Sequence, residues 1–200
     1  MSSGLNVKAT NAMREFIIEL ETYTRCHGLD TDRIMQMWDE MLGGYQSVPM
    51  RILLDALLDK PLLYDEMVVI KDISFTSLCR HHLLPFWGVC HVGYLPDKYI
   101  VGLSKIPRVI EAYARRLQLQ ESLTAEIGNA ITNALQPLGL GVIIKAKHMC
   151  MMARGVERRE AEVVTSFLVG SFRDSLELRA EFMRLWNSGK PKSYGPGGVL

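Results

Sequence analysis

Apolar residues near the start of the chain recur every three or four positions, the spacing of one face of an α-helix. The members of this first run are Met13, Phe16, Ile17, Leu20 and Tyr23. Asp30 or Thr31 is placed to cap a second helix that stops at Gly43, and a third, short helix begins at Pro49. Residues 1–62 are therefore predicted to form an N-terminal helical extension.

After residue 66 the chain changes to short runs rich in β-branched residues, which are typical of strands. The predicted strands are 67–73, 88–95, 99–103, 140–146 and 163–169. Residues 74–86 lie between the first two of these strands, so we expect them to form a loop at a strand end, where functional groups are often displayed.

Two amphipathic helices are predicted between the third and fourth strands, the first capped by Ser104 and the second spanning 123–135. A last helix is expected from Ser171 to Trp186. Because strands and helices do not alternate regularly, the order predicts an α+β fold with an antiparallel sheet. We expect this domain to span residues 63–189 and to be followed by a loose tail, 190–200.

Composition narrows the classes of function. The 200 residues include 23 basic and 22 acidic ones, a net charge of +1, which argues against a nucleic-acid-binding surface. The sequence has no apolar run long enough to span a membrane and no leader-like start, so we expect a cytoplasmic protein with no membrane partner. Its four cysteines are too few and scattered for a disulfide scaffold; Cys26 and Cys90 are expected to be small buried residues.

Two short clusters contain side chains that bind metals. Cys79 and His82 have the Cys-x-x-His spacing that lets one loop supply two ligands to a tetrahedral zinc, and His148-Met149-Cys150 follows a predicted strand. With Cys79, His82 and Cys150 as ligands, one zinc position stays open for a water whose pKa falls to about 7, flanked by His81 and His148 as proton carriers. Spacing alone does not exclude a closed site that also includes His148.

Other polar residues have both a bland and a functional interpretation. Arg108 and Arg154 would by default lie on a solvated surface. Ser104 and Lys105, at a predicted helix N-terminus, favour an anion. Glu121, if it lies near the metal, has the geometry to accept two parallel hydrogen bonds from an amidine-like edge such as that of guanine.

Several longer motifs together identify a family. The segments are "SLCRHHLLPFWG", "HVGYLP", "VGLSKIPRVIEAYARRLQLQESLT", "ALQPLG", "HMCMMARGV", "VTSFLVGSF" and "RAEF", which lie within residues 64–186. In this order they resemble GTP cyclohydrolase I, the zinc enzyme that opens the purine ring of GTP. Arg80 departs from the family pattern, in which the residue between the cysteine and the histidines is usually acidic or small.

The resemblance implies a role for each candidate residue. Cys79, His82 and Cys150 would be the zinc ligands, and the catalytic side chains would be His81, His148 and Ser104. The implied triphosphate contacts are Ser104, Lys105, Arg108 and Arg154. The implied guanine-reading pair is Gln120 and Glu121.

The resemblance also implies the reaction and the assembly. The substrate would be GTP and the products formate and 7,8-dihydroneopterin triphosphate. The fold would be the tunnelling type, an antiparallel sheet backed by two helices, in a decamer of two stacked pentamers with active sites between subunits. Two alternatives remain open, namely a relative of the same fold that acts on another purine or pterin, motivated by Arg80, and a non-catalytic module with a structural zinc.

Overall fold

The N-terminal part of the chain is helical, as its apolar spacing predicts. A computed structural model describes residues 7–187 and begins with α1 (Val7–Thr24), α2 (Thr31–Leu42), a 3-10 turn (Gly43–Gln46) and α3 (Pro49–Leu54). The side chain of Asp30 accepts a hydrogen bond from the backbone N–H of Arg33, so Asp30 is the cap of α2.

Five strands form the main sheet: β2 (Val68–Cys79), β3 (Pro85–Leu95), β5 (Leu117–Gln118), β6 (Gly139–His148) and β7 (Val163–Gly170). Their order across the sheet is β5-β2-β3-β6-β7. All neighbouring pairs are antiparallel except β2 and the two-residue β5. A separate antiparallel pair consists of β1 (Leu57–Asp59) and β4 (Tyr99–Val101).

Two helices, α4 (Lys105–Ala114) and α5 (Gln120–Leu135), cover one face of this sheet. Their apolar stripes are fully buried and form the main core with the sheet residues beneath them. This arrangement confirms the predicted α+β class, with an antiparallel sheet backed by two helices and preceded by a helical extension.

The opposite face of the sheet is covered at one end by the C-terminal helices α7 (Ser171–Asp174) and α8 (Leu176–Asn187). Phe182 lies so close to the sheet that a β-carbon at Gly93 would stand 2.6 Å from its ring. None of the helices within residues 7–187 is both long and apolar enough to cross a membrane.

The predicted loop at 74–86 is wrong in its extent. β2 continues to Cys79 and β3 begins at Pro85, with Thr76 opposite Trp87 in the ladder. The polar residues of this segment obscure its strand pattern in the sequence. In the structure the side chains of Phe75 and Ser77 are buried. The connection is therefore only residues 80–84.

Two predicted caps are also wrong. Ser104 has a helical backbone and its side chain makes no capping hydrogen bond. The hydroxyl of Ser171 donates to the carbonyl of Leu138, and the last helix is broken at Ser175, whose hydroxyl accepts from the N–H of Leu178. Residues 57–59, predicted as helix, form a strand because they pair with β4. The tail predicted for 190–200 lies outside the described residues.

Candidate metal centre and active site

The turn between β2 and β3 is built to fold His82 back towards Cys79. The N–H of Cys79 donates to the carbonyl of Leu84, and the carbonyl of Cys79 accepts from the N–H groups of both His82 and Leu83. Leu83 adopts a left-handed backbone with φ of 55°, which reverses the chain within five residues. As a result, Sγ of Cys79 lies 3.7 Å from Nδ1 of His82.

Cys150 reaches the same point from another strand. His148 is the last residue of β6 and lies opposite Phe86 of β3, and the short helix α6 (Met149–Met152) begins directly after it. This register brings the ligand atoms of Cys79, His82 and Cys150 within 4.8 Å of one another. The predicted three-residue cluster is therefore assembled from two strand ends.

The donor set and its spacing fit a tetrahedral zinc. Zinc–sulfur and zinc–nitrogen bonds of about 2.3 and 2.0 Å place two tetrahedral ligands roughly 3.5–3.8 Å apart, and the distance from Cys79 Sγ to His82 Nδ1 is 3.7 Å. Within the described residues this cluster contains only three candidate ligands. His148, the fourth member of the closed alternative, is absent from the cluster.

The thiol of Cys150 is held in an environment that disfavours its charged form. Burial raises the pKa of Cys150, the neighbouring Cys79 raises it further, and the positive charge of Arg154 acts weakly in the opposite direction. A cation at the cluster would reverse this balance because it stabilises both thiolates.

His148 is held by Gln120 and by an aromatic ring. Its Nε2 lies 2.8 Å from Oε1 of Gln120, and its ring stacks on that of Phe86 with centroids 4.6 Å apart and planes 2° from parallel. Burial lowers the pKa of His148, and the nearby charge of Glu121 opposes that shift. Glu121 lies in the first turn of α5 and is exposed.

Gln120 is buried, although the resemblance implies that it contacts substrate. Its side-chain nitrogen is 3.0–3.2 Å from three acceptors of the sheet, the carbonyls of Ile144 and Val163 and the hydroxyl of Thr165. The side chain is thus engaged within the fold on both of its polar atoms.

Three further candidates, Ser104, Lys105 and Arg108, belong to the start of α4. Ser104 and Lys105 stand at the start of α4, whereas its end leads into β5, where Gln118 accepts a hydrogen bond from the N–H of Arg80. The ten residues of α4 span about 15 Å. Arg108 is exposed beside the 3-10 turn, on a groove it shares with Glu111.

His81 is exposed beside its neighbour His82, with ring centroids 6.1 Å apart, and Arg154 is exposed just beyond α6. Sequence reasoning missed Phe86, whose stacking on His148 depends on strand register. It was also wrong about Cys26, which is exposed because it follows the end of α1, whereas Cys90 is fully buried as predicted.

Comparisons with known proteins agree with this geometry. The profile of the GTP cyclohydrolase I family matches residues 9–187. GTP cyclohydrolase 1 of Rattus norvegicus is 51% identical over 145 residues, covering 72% of this chain and 59% of the rat protein. GTP cyclohydrolase 1 of Campylobacter lari is 44% identical over 186 residues, covering 93% of this chain and 92% of that protein.

A solved structure of the archaeosine synthase QueF-Like in the apo form is a more distant neighbour. It is 18% identical, covers 52% of this chain and 93% of its own, and has a TM-score of 0.44. The chain belongs to the GTP cyclohydrolase I family.

Proposed function

We propose that the chain hydrolyses GTP to formate and 7,8-dihydroneopterin triphosphate in a zinc-dependent reaction. The observation that carries this proposal is the cluster of Cys79, His82 and Cys150, whose three ligands leave one tetrahedral position open. Family membership supports the choice of substrate. The matched segment spans 59% of the rat relative.

Zinc would be held by Cys79, His82 and Cys150, where it would supply Lewis-acid activation of water for the attack on C8 of guanine. His81, exposed beside the cluster, would protonate the imidazole ring as it opens. Glu121 would hold the amidine edge of the base, since an exposed carboxylate accepts two parallel hydrogen bonds. His148 would move a proton near the ribose.

The triphosphate would be bound by Ser104, Lys105, Arg108 and Arg154. The active sites would lie between subunits, as the resemblance implies. We propose a homo-oligomer of stacked pentameric rings, in which residues 63–189 form the catalytic domain and 1–62 the extension.

The test is to incubate purified, zinc-loaded protein with GTP and to measure formate together with the fluorescence of the oxidised pterin. Equal amounts of both products would support the full reaction. Formate without pterin would restrict the activity to ring opening. The absence of both products would overturn the proposal. A Cys79→Ala variant, matched by Cys26→Ala at the exposed cysteine, should lose both products while the control keeps them.

A further inference from the structure

The side-chain amide of Gln120 has one possible orientation. Its nitrogen site faces the carbonyl oxygens of Val163 at 3.0 Å and Ile144 at 3.2 Å, and carbonyl oxygens only accept hydrogen bonds. A reversed amide would set its own oxygen against both of them in a site where Gln120 is 2% exposed. The oxygen atom of the amide therefore faces His148.

A closed circuit of hydrogen bonds is compatible with this orientation. The nitrogen of Gln120 donates to the hydroxyl of Thr165, which lies 2.6 Å from the hydroxyl of Thr124, and Thr124 in turn donates to the main-chain carbonyl of Gln120. Each hydroxyl then donates once and accepts once. With the Gln120 nitrogen pointing to Thr165, the three hydrogen bonds of the circuit run in one direction.

The orientation of the amide decides which nitrogen of His148 carries a hydrogen. Oε1 of Gln120 can only accept, and it lies 2.8 Å from Nε2 of His148, so Nε2 must donate. The stack on Phe86 fixes the plane of the ring, with an angle of 2° between the two planes. In the neutral ring the lone pair is consequently on Nδ1.

We infer that Gln120 is a positioning residue that holds the neutral His148 ring as the Nε2–H tautomer, with the lone pair on Nδ1. The inference deepens the proposed function and replaces the guanine-reading role that resemblance assigns to Gln120. Glu121 alone would then read the base.

The chain offers a matched control at Gln118. This side chain is also buried, with 4% exposed, and its nitrogen donates to the carbonyl of Tyr113 and to Glu126, but the structure shows no hydrogen bond from it to His148. Methionine is similar in size to glutamine, so either Gln→Met substitution removes a buried amide and largely keeps the side-chain volume. Only Gln120→Met removes the acceptor for Nε2.

The primary measurement is the ¹⁵N spectrum of histidine-labelled, zinc-loaded protein in the solid state, which distinguishes protonated from lone-pair ring nitrogens. The chain has 5 histidines, and the His148 signals are those lost in a His148→Asn variant. We expect Nε2–H in the wild type and in Gln118→Met, and a mixture of tautomers in Gln120→Met. A wild-type His148 with Nδ1–H, or a pure Nε2–H tautomer in Gln120→Met, would overturn the inference.

Kinetics provide a second readout that separates positioning from substrate reading. With GTP, Gln120→Met should lower kcat at least tenfold more than Gln118→Met does, with little change in KM. A rise in KM at constant kcat would instead assign Gln120 to guanine binding and overturn the inference. The tautomer is measured without substrate, so the spectrum can contradict the inference while the product assay still supports the proposed activity. The product assay can likewise contradict the activity while the spectrum supports the tautomer.

Discussion

Gly44 packs directly against the carbonyl oxygen of Ala112, so that the 3-10 turn of the N-terminal extension lies on the end of α4. A β-carbon at Gly44 would overlap that oxygen and stand 2.7 Å from the carbonyl oxygen of Arg115, which accepts a hydrogen bond from the N–H of Gly44. These are backbone atoms that cannot rotate away. The extension therefore reaches α4 through a contact that only glycine permits.

Gly44→Ala should consequently lower the free energy of unfolding by about 1–3 kcal/mol, the usual cost of overpacking. Urea denaturation measures this, and limited proteolysis between residues 25 and 48 should become faster as the extension loosens. Gly43→Ala is the matched control, because a β-carbon there meets nothing within 4 Å. Equal stability of the two variants would contradict the contact described here.

Local pattern was sufficient to predict the main elements. The helical stripes of α4 and α5 and the β-branched runs of β3 and β6 were visible because each has a consistent periodicity. The strand at 57–59 was missed because it exists only through its pairing with Tyr99–Val101, some forty residues away. A single sequence contains no record of that pairing.

The candidate site shows the same limit. Cys79 and His82 were paired correctly from spacing alone, since four adjacent residues fold as one turn. The hydrogen bond between Gln120 and His148 joins residues 28 positions apart. The burial of Gln120 depends on the register of β6 and β7. The sequence therefore predicts the local turn but not the contacts between residues that are distant along the chain.

Replacing the exposed His81 should lower activity without affecting metal binding. His81→Ala is expected to keep its zinc and its stability but to lower kcat by about 10²–10⁴-fold, the usual contribution of a general acid or base. His82→Ala, one residue further, should lose the metal together with activity because it removes a ligand atom of the cluster. Zinc content and turnover of both variants are measured on the same preparations. Full activity in His81→Ala would exclude that side chain from the mechanism.

Metal binding should weaken as the pH falls. Burial raises the pKa of the Cys150 thiol above its ordinary value, so at neutral pH the thiol must lose a proton when zinc binds. Below that pKa, each such thiol lowers the apparent affinity by about tenfold per pH unit. Competition with a zinc indicator between pH 6 and 8 measures the slope, which Cys150→Ser should reduce and Cys26→Ser should leave unchanged. A slope of zero in the wild type would contradict the two-thiolate site.

The buried His91 should make the fold less stable in acid. Its Nδ1 accepts a hydrogen bond from the backbone N–H of Asp72, and its ring lies 5.2 Å from that of Trp186. Burial lowers the pKa of His91, Lys71 and Lys145 lower it further, and Asp72 acts in the opposite direction. The folded state thus binds the proton less readily than the unfolded state, whose histidine titrates near its ordinary pKa of about 6.5.

The sign of the effect follows from proton linkage. Stability rises with pH wherever the unfolded state binds more protons, so the contribution of His91 is complete above about pH 6.5 and is lost as the pH falls towards the folded pKa. Urea midpoints between pH 5 and 8 should therefore fall less steeply in His91→Asn, whose amide oxygen accepts without titrating, than in the wild type. His27→Asn, at an exposed position, should follow the wild-type curve. Parallel curves for His91→Asn and the wild type would show that this histidine carries none of the acid sensitivity.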